Sequence, residues 1–203
     1  RRGYSVTDLE TGNTLEIDNK YIMSPKDLCT IEFMDKIIDA GVTVFKIEGR
    51  ARSAEYVKTV ARCYRDAADA VLAGKYTPEY ASELKERLST VFNRGFWDGY
   101  YQGARLGEWS EVYGNKATKS KKYIGKVTNY FSNIGVAEIL IETGSISVGD
   151  NVIIIGPSTG VVEVTVEEIR VDLKITESAV KGEYCSIAVP EKLRRSDKLY
   201  LFQ

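Results

Sequence analysis

Apolar residues recur at helical spacing in three segments of the first half of the chain. The first segment follows Ser24 and Pro25, which predict a helix start because Ser24 can cap the first turn and Pro25 suits the first helical position. Asp27 can complete a capping box, and Gly41 predicts the end of the helix. Its apolar positions are Leu28, Ile31, Met34, Ile37 and Ile38.

Two more helices are predicted downstream. The second begins at a cap on Ser53 and runs to about Ala73, and the third begins at Thr77-Pro78. The inward positions are Tyr56, Val57, Val60, Tyr64, Ala67, Ala68, Val71 and Leu72 in the second helix, and Leu84, Leu88 and Val91 in the third.

An extended segment separates the first two helices. Residues 42–48 are rich in β-branched residues and predict a strand that ends before Gly49. Helix, strand and helix in succession are typical of an α/β fold with parallel strands. Because a parallel strand needs neighbours, we expect its partner strands to lie upstream, to belong to another chain or to be missing. Residues 3–22 alternate weakly around Thr11-Gly12-Asn13 and predict a hairpin.

The pattern changes near residue 115. Residues 114–122 are polar and rich in lysine, as in a linker. Short strands at regular spacing follow, with Gly, Pro, Asn and Asp between them, and this predicts an all-β barrel or sandwich. The predicted strands are 123–130, 135–143, 151–155, 161–171, 184–189 and 198–202. We therefore predict two domains, 1–114 and 115–203.

Composition narrows the classes of function. A net charge of −1 gives no global attraction to nucleic acid or membranes, and no apolar run is long enough to span a membrane. The N-terminal residues 1–4 carry no apolar run and no Met, so we expect no signal peptide and a fragment or trimmed chain. The three cysteines are too sparse for a disulfide framework, which favours a cytoplasmic location. The absence of His excludes Ser-His and Cys-His catalysis and His-ligated zinc within this chain.

Lys46, Glu48 and Arg50 are candidate catalytic residues. Alternation places Lys46 and Glu48 on one face of the predicted strand, pointing into a barrel of parallel strands near its C-terminal mouth. Such a pair could bind an anion or move a proton, and Arg50 could hold an anion through two nitrogens. The alternative is a structural ion pair that fills the barrel.

Cys29 is the second candidate. In the first turns of the predicted helix, its thiol pKa would be lowered, which suits a nucleophile or a metal ligand. The alternative, favoured by the residue pattern alone, is a small buried side chain. Cys63 and Cys185 lie on apolar faces and are predicted to be core residues.

Two further segments could bind ligands. Residues 93–103 are dense in Gly and aromatic residues, which favours a packed loop over a stacking platform. The second segment is a lysine cluster that could contact phosphates, although a solvated linker explains it better because Tyr123 is the one aromatic residue interleaved with it. The cluster comprises Lys116, Lys119, Lys121, Lys122 and Lys126.

Several segments together resemble a known family. Three segments resemble segments of the collagenase-like peptidase family, peptidase family U32. They are residues 21–29 (Tyr-Ile-Met-Ser-Pro-Lys-Asp-Leu-Cys), residues 40–50 (Ala-Gly-Val-Thr-Val-Phe-Lys-Ile-Glu-Gly-Arg) and residues 92–100, which begin Phe-Asn-Arg-Gly-Phe. Pro25 stands where the family usually has Ser. Order and spacing agree over residues 1 to about 105, and the later strands resemble the family's C-terminal β-barrel.

The resemblance implies an α/β plus all-β fold: the C-terminal piece of a TIM-like (β/α) barrel, followed by a small elongation-factor-like β-barrel. It implies a peptidase, a hydrolase, of which this chain alone would be inactive because most of the barrel lies upstream. The alternative that it implies is prephenate-dependent hydroxylation of tRNA or rRNA bases, with the β-barrel binding RNA or a protein.

The resemblance also concerns cofactors and partners. Some members hold a four-iron cluster through four cysteines, and the last of these matches Cys29, which favours Cys29 as a ligand of an iron–sulfur cluster in the full-length protein. No cofactor is expected in this chain alone. The expected partners are the upstream half of the barrel and a peptide or RNA substrate, without a membrane.

Overall fold

A computed structural model describes residues 3–17, 25–104, 107–108, 110 and 114–203. The chain divides into two units, Arg1–Arg52 with Thr59–Thr118 and Ser53–Lys58 with Lys119–Gln203. β-Strands outnumber α-helices in this part of the chain. None of the described helices is long and apolar enough to cross a membrane.

The first unit begins with a β-hairpin. Strands β1 (Tyr4–Thr7) and β2 (Thr14–Ile17) pair antiparallel. The connecting turn is held by the Asp8 carboxylate, which accepts hydrogen bonds from two backbone amides, and Gly12 adopts a φ of +70°. The predicted hairpin and its turn are thus confirmed.

Residues after Ser24 form a strand, so the helix predicted to start there is wrong. Strand β3 (Asp27–Leu28) pairs in parallel with β4 (Phe96–Trp97). The amides of Asp27 and Cys29 donate to carbonyl oxygens in and beside β4 at 2.8 and 2.9 Å, and these bonds replace the helical ones. Ser24 itself lies outside the described residues.

Helical structure begins at Ile31, six residues after the predicted first helical position, Pro25. A 3₁₀ turn (Ile31–Phe33) leads into α1 (Met34–Asp39). Gly41 ends the helix as predicted, with a φ of +87° and its amide donating to the Ile38 carbonyl at 2.9 Å.

Residues 42–48 do not form the predicted strand. No described segment pairs with them, and the Val44 side chain is 81% exposed. A parallel strand is stable only beside a hydrogen-bonded neighbour, and no described segment lies alongside residues 42–48. The sequence predicts that these partner strands lie upstream, belong to another chain or are missing.

The other two helices are confirmed. Helix α2 (Ala54–Leu72) follows Ser53, and α3 (Pro78–Ser89) is capped by Thr77, whose Oγ1 accepts the Tyr80 amide at 3.2 Å. The inward face of α2 differs in part from the prediction, since Val57 and Leu72 are exposed. The buried positions are Val60, Cys63 and Ala67 in α2, and Ala81, Leu84 and Leu88 in α3.

The second unit is built on an eight-stranded antiparallel sheet, in the order β11-β10-β13-β6-β5-β14-β8-β9. A separate pair joins β7 to β12. The strands are β5 (Lys121–Phe131), β6 (Val136–Ile141), β7 (Ser145–Ser147), β8 (Asn151–Gly156), β9 (Gly160–Thr165), β10 (Ile169–Val171), β11 (Lys174–Thr176), β12 (Ser178–Val180), β13 (Tyr184–Ala188) and β14 (Lys198–Phe202).

Alternating side chains of the sheet form the core of this unit. Ile139, Ile141, Ile154, Ile187 and Leu199 are among its buried members. The strand predicted over 161–171 is two strands, β9 and β10, with residues 166–168 between them. The three-residue strands β7, β11 and β12 were not predicted, since three residues carry too little alternation to be recognised.

Candidate functional site

The predicted catalytic residues lie together on the irregular segment 42–50. Lys46, Glu48 and Arg50 are exposed, and Glu48 Oε1 accepts a hydrogen bond from the Arg50 amide at 2.7 Å. Among the described residues, no ion pair joins Lys46 to Glu48. The catalytic role of the three residues stays a prediction, because it requires the strand and barrel that the described residues do not form.

A different charged cluster connects β3 with the loop before β4. Asp27 Oδ1 accepts hydrogen bonds from Arg94 Nε and Nη2 at 3.1 and 2.8 Å, and Oδ2 accepts the Arg94 amide at 2.8 Å. Arg52 Nη2 lies 3.5 Å from the same Oδ1. The Arg52 guanidinium also stacks over Phe92, 4.0 Å from the ring centre. Two guanidinium groups therefore face one carboxylate, and the contact with Arg94 ties β3 to the loop before β4.

The loop that carries Arg94 is shaped by Asn93 and Gly95. The Asn93 side chain is 4% exposed, its Nδ2 donates to the Val91 carbonyl at 2.9 Å, and its Oδ1 accepts the Gly95 amide at 3.1 Å. Gly95 has a φ of +85°, which favours glycine. These contacts direct Arg94 toward Asp27, and they agree with a packed loop at this point of the segment 93–103.

Cys29 lies in a closed environment beside the cluster. Its side chain is buried, and the Tyr64 hydroxyl donates to its Sγ at 3.9 Å while accepting the Thr30 amide at 2.9 Å. Burial raises the pKa of the Cys29 thiol, and burial also raises the pKa of the Tyr64 hydroxyl. The lowered pKa expected at a helix start is therefore wrong, because Cys29 precedes the 3₁₀ turn and is desolvated.

The cluster-ligand role of Cys29 needs co-ligands. In the part of the chain that the structure describes, no group of three or more Cys, Asp or Glu side chains could hold a metal ion. The described cysteines are all free and buried. The described residues thus do not fit an iron–sulfur cluster, and Cys29 as one of its ligands stays a prediction for a longer protein.

Sequence patterns missed the cluster as a unit. Asp27 was assigned to a cap and Arg94 to a loop, while Arg52 and Tyr64 were not considered as site residues. The signal that could have found the pair is the presence of both Asp27 and Arg94 in the resembling segments. Their contact spans 67 residues, which periodicity cannot detect.

Comparisons with known proteins identify a family and several relatives of this chain. A family model described as peptidase family U32 matches residues 1–111. A collagenase of Porphyromonas gingivalis is 57% identical over 202 residues, which cover 100% of this chain and 49% of that protein. A tRNA hydroxylation protein P1 of Bacillus subtilis is 34% identical over 143 residues, which cover 70% of this chain and 33% of that protein.

A solved structure is also similar to part of the chain. The C-terminal domain of a Geobacillus thermoleovorans protein assigned to the U32 peptidases is matched with a TM-score of 0.37 and 19% identity, over 38% of this chain and 89% of that domain. The chain spans about half the length of the curated relatives that match it from end to end.

Proposed function

Because the chain belongs to peptidase family U32, we propose that it is the C-terminal part of a collagenase-like peptidase, a hydrolase of peptide bonds. The observation that carries this proposal is the 57% identity to a collagenase along the whole chain. The reaction adds water across the C–N bond of a peptide and releases a carboxylate and an amine.

We assign the chemistry of this chain to its exposed charged segment. Glu48 would accept a proton from the attacking water, while Lys46 and Arg50 would hold the substrate's carbonyl or carboxylate oxygens. What supports this assignment is their exposure on a single segment.

The proposed scaffold is a TIM-like (β/α) barrel. Residues 42–48 would become one of its strands when neighbouring strands of the longer protein pair with them, with Lys46 and Glu48 on the inner face. The extended segment with an exposed Val44 supports this, since such a residue is favourable in a strand that buries it.

The test compares this chain with a version extended at its N-terminus to the length of the collagenase relative. We expect the extended protein to release fragments from a gelatin peptide and the 203-residue chain to release none. In the extended protein, Lys46→Ala, Glu48→Gln and Arg50→Ala should each lower kcat/KM by at least about tenfold. Lys36→Ala is the matched control, since Lys36 is an exposed lysine on α1 of the same unit.

Two outcomes would refute parts of the proposal. Equal cleavage by the short and extended proteins would show that the barrel is not needed. Full activity in all three variants would remove the assignment of catalysis to segment 42–50, while leaving the peptidase activity itself in place.

A second candidate function is hydroxylation of a tRNA or rRNA base. It is supported by the 34% identity to a protein named for tRNA hydroxylation. The extended protein would then be required for a C–H bond of a base to become C–OH, and mass spectrometry of nucleosides from a deletion strain and its complemented control would detect this gain of one oxygen atom. Peptide cleavage without this mass change would favour the peptidase, and the reverse would favour RNA modification.

A cytoplasmic location is part of the proposal. It is supported by the three described cysteines, all of them free thiols, as is usual in a reducing compartment. Fractionation of cells that express the tagged full-length protein would test this, and recovery from the culture medium would refute it.

A further inference from the structure

The outer face of strand β14 carries a lysine and two aromatic residues in one row. Leu199 lies in the core and Leu201 packs against it, so the alternate residues Lys198, Tyr200 and Phe202 project from the opposite face. Lys198 is exposed, and the two aromatic side chains are half-buried. Residues two apart in a strand stand about 6.6 Å from each other, so the row presents three side chains at regular spacing.

Strand β5 and the segment before it complete this surface. In the β5–β14 ladder, Tyr200 faces Tyr123 and Phe202 faces Lys121. The Tyr123 and Tyr200 rings meet edge to face, with centres 5.6 Å apart. We call the set Lys119, Lys121, Tyr123, Lys198, Tyr200 and Phe202 the lysine–aromatic surface.

Lysine ammonium groups lie over two of these rings. Lys119 Nζ is 5.0 Å from the centre of Phe202, and Lys121 Nζ is 5.1 Å from the centre of Tyr200. Positive charge is thereby held beside aromatic faces that are not sealed into the core. The sequence cluster of lysines lacked interleaved aromatic residues beyond Tyr123, and β14 supplies them from about 80 residues downstream.

Two carboxylates lie near this surface, and one of them neutralises a lysine of the surface itself. Glu55 pairs with Lys121 at 2.7 Å, and Glu142 pairs with Lys126 at 2.7 Å while accepting the Tyr123 hydroxyl. No described carboxylate oxygen lies within ion-pair distance of Lys119 or Lys198. Two ammonium groups, one beside each end of the aromatic row, can therefore neutralise an external anion.

We propose that the lysine–aromatic surface binds a single-stranded nucleic acid, with Lys119 and Lys198 on its phosphates and Tyr200 and Phe202 stacking on its bases. Alternating cations and aromatic rings match a strand in which phosphates and bases alternate. An acidic polypeptide would use the lysines and leave the rings without a role, so the rings favour the nucleic acid. The proposal rests on these contacts and does not require either catalytic function.

The test uses the full 203-residue chain and fluorescent single strands of roughly ten nucleotides, oligouridylate and its deoxy equivalent, followed by anisotropy. We expect binding at low salt. Two phosphate contacts predict a slope of about −1.4 for the logarithm of the association constant against the logarithm of salt concentration. Comparison of the two strands shows whether the 2′-hydroxyl contributes to binding.

Variants separate stacking from charge. Tyr200→Leu and Phe202→Leu keep an apolar side chain but remove the ring, and each should weaken binding at least about fivefold. The double variant Lys119→Gln/Lys198→Gln should weaken binding and flatten the salt slope by about 1.4. The matched control is Lys174→Gln/Lys181→Gln, which removes two exposed lysines from the part of the unit around β11, four strands from β5 in the sheet order.

The outcomes decide the proposal. It is overturned by an absence of binding at low salt, by a control variant as defective as the lysine variant, or by ring variants that bind normally. Competition by polyglutamate as strong as by unlabelled RNA would assign the surface to acidic polypeptides instead. If Tyr200→Leu lowers the urea midpoint and so destabilises the fold, the loss of binding in Phe202→Leu decides whether the rings stack on bases. Phe202 lies at the end of β14, where a substitution disturbs the sheet less. Loss of binding here would leave the proposed peptidase activity untouched.

Discussion

Asp27 holds Arg94 through both of its carboxylate oxygens. One oxygen accepts two guanidinium nitrogens and the other accepts the Arg94 backbone amide, across 67 residues of chain. This contact anchors the short parallel pair of β3 and β4, because Arg94 lies two residues before Phe96, the partner of Asp27 in that pair. The same carboxylate lies near Arg52, which makes it the centre of the charged cluster in the first unit.

We expect Asp27→Asn to lower the free energy of unfolding of the first unit by about 1–3 kcal/mol, because an amide oxygen replaces a charged acceptor of several hydrogen bonds. Urea unfolding followed by circular dichroism measures this. The control Asp69→Asn makes the same chemical change at an exposed pair with Arg65, and should lower the free energy by about 0.5 kcal/mol or less. Equal losses in the two variants would show that the Asp27 contact contributes nothing special.

Gly125 lies on β5, close to the backbone of β6. A Cβ atom at this position would be 2.1 Å from the Leu140 carbonyl oxygen, which belongs to the backbone and cannot move aside cheaply. We therefore expect Gly125→Ala to lower the free energy of unfolding of the second unit by about 1–3 kcal/mol or more. Asn129→Ala, at an exposed position on the same strand, is the control. An unchanged urea midpoint for Gly125→Ala would contradict the close approach.

The three cysteines should react slowly in the native protein. Burial raises the pKa of Cys29 and Cys63, and raises the pKa of Cys185 to about 12, so little thiolate is present at pH 8. Ellman's reagent should titrate three thiols in denaturant and modify them at least about tenfold more slowly under native conditions. A Ser145→Cys variant adds an exposed thiol as the control and should react at once. Fast reaction of Cys29 in the native chain would contradict its raised pKa and would support Cys29 as an activated nucleophile.

Glu142 should make the second unit sensitive to acid. Lys126 and Tyr123 lower the pKa of Glu142 below its usual 4.5, so the unfolded chain binds a proton at a higher pH than the folded chain does. The stabilisation is thus present above about pH 4.5 and is lost as the pH falls through the lower, folded pKa. Urea midpoints at pH 7 and at pH 3–4 should differ less in Glu142→Gln than in the parent protein. Glu177→Gln, an exposed site in the same unit, is the control, and identical pH profiles in all three proteins would contradict the prediction.

Elements that depend on near neighbours were predicted from the sequence. The turn at Gly12, the Thr77 cap of α3 and the alternation along the strands of the second unit all use contacts within a few residues, which a linear pattern contains. The resemblance of three segments to peptidase family U32 predicted the family of the chain, and the comparisons confirmed that family.

The segments that failed were those whose conformation depends on a distant partner. Residues 25–28 carry a good helix start, yet the amides of Lys26 and Asp27 donate to the carbonyls of Glu108 and Gly95, roughly 70–80 residues away. Residues 42–48 carry a good strand pattern, yet a strand needs a neighbour that no described segment provides. In both cases local propensity was overruled by the availability of hydrogen-bond partners.

The sequence by itself determined the helices α2 and α3 and an all-β second half, because periodicity carries that information. Its resemblance to segments of peptidase family U32 indicated the family, which the family model then showed. Only the tertiary structure decided which charges meet. It joined Asp27 to Arg94, and it placed Tyr200 beside Lys121 and Phe202 beside Lys119. It also set Gly156 so close to the buried Asp197 that a Cβ would lie 1.8 Å from its carboxylate. These relationships cross 40 or more residues of chain, and they exist because packing brings together side chains that no local pattern relates.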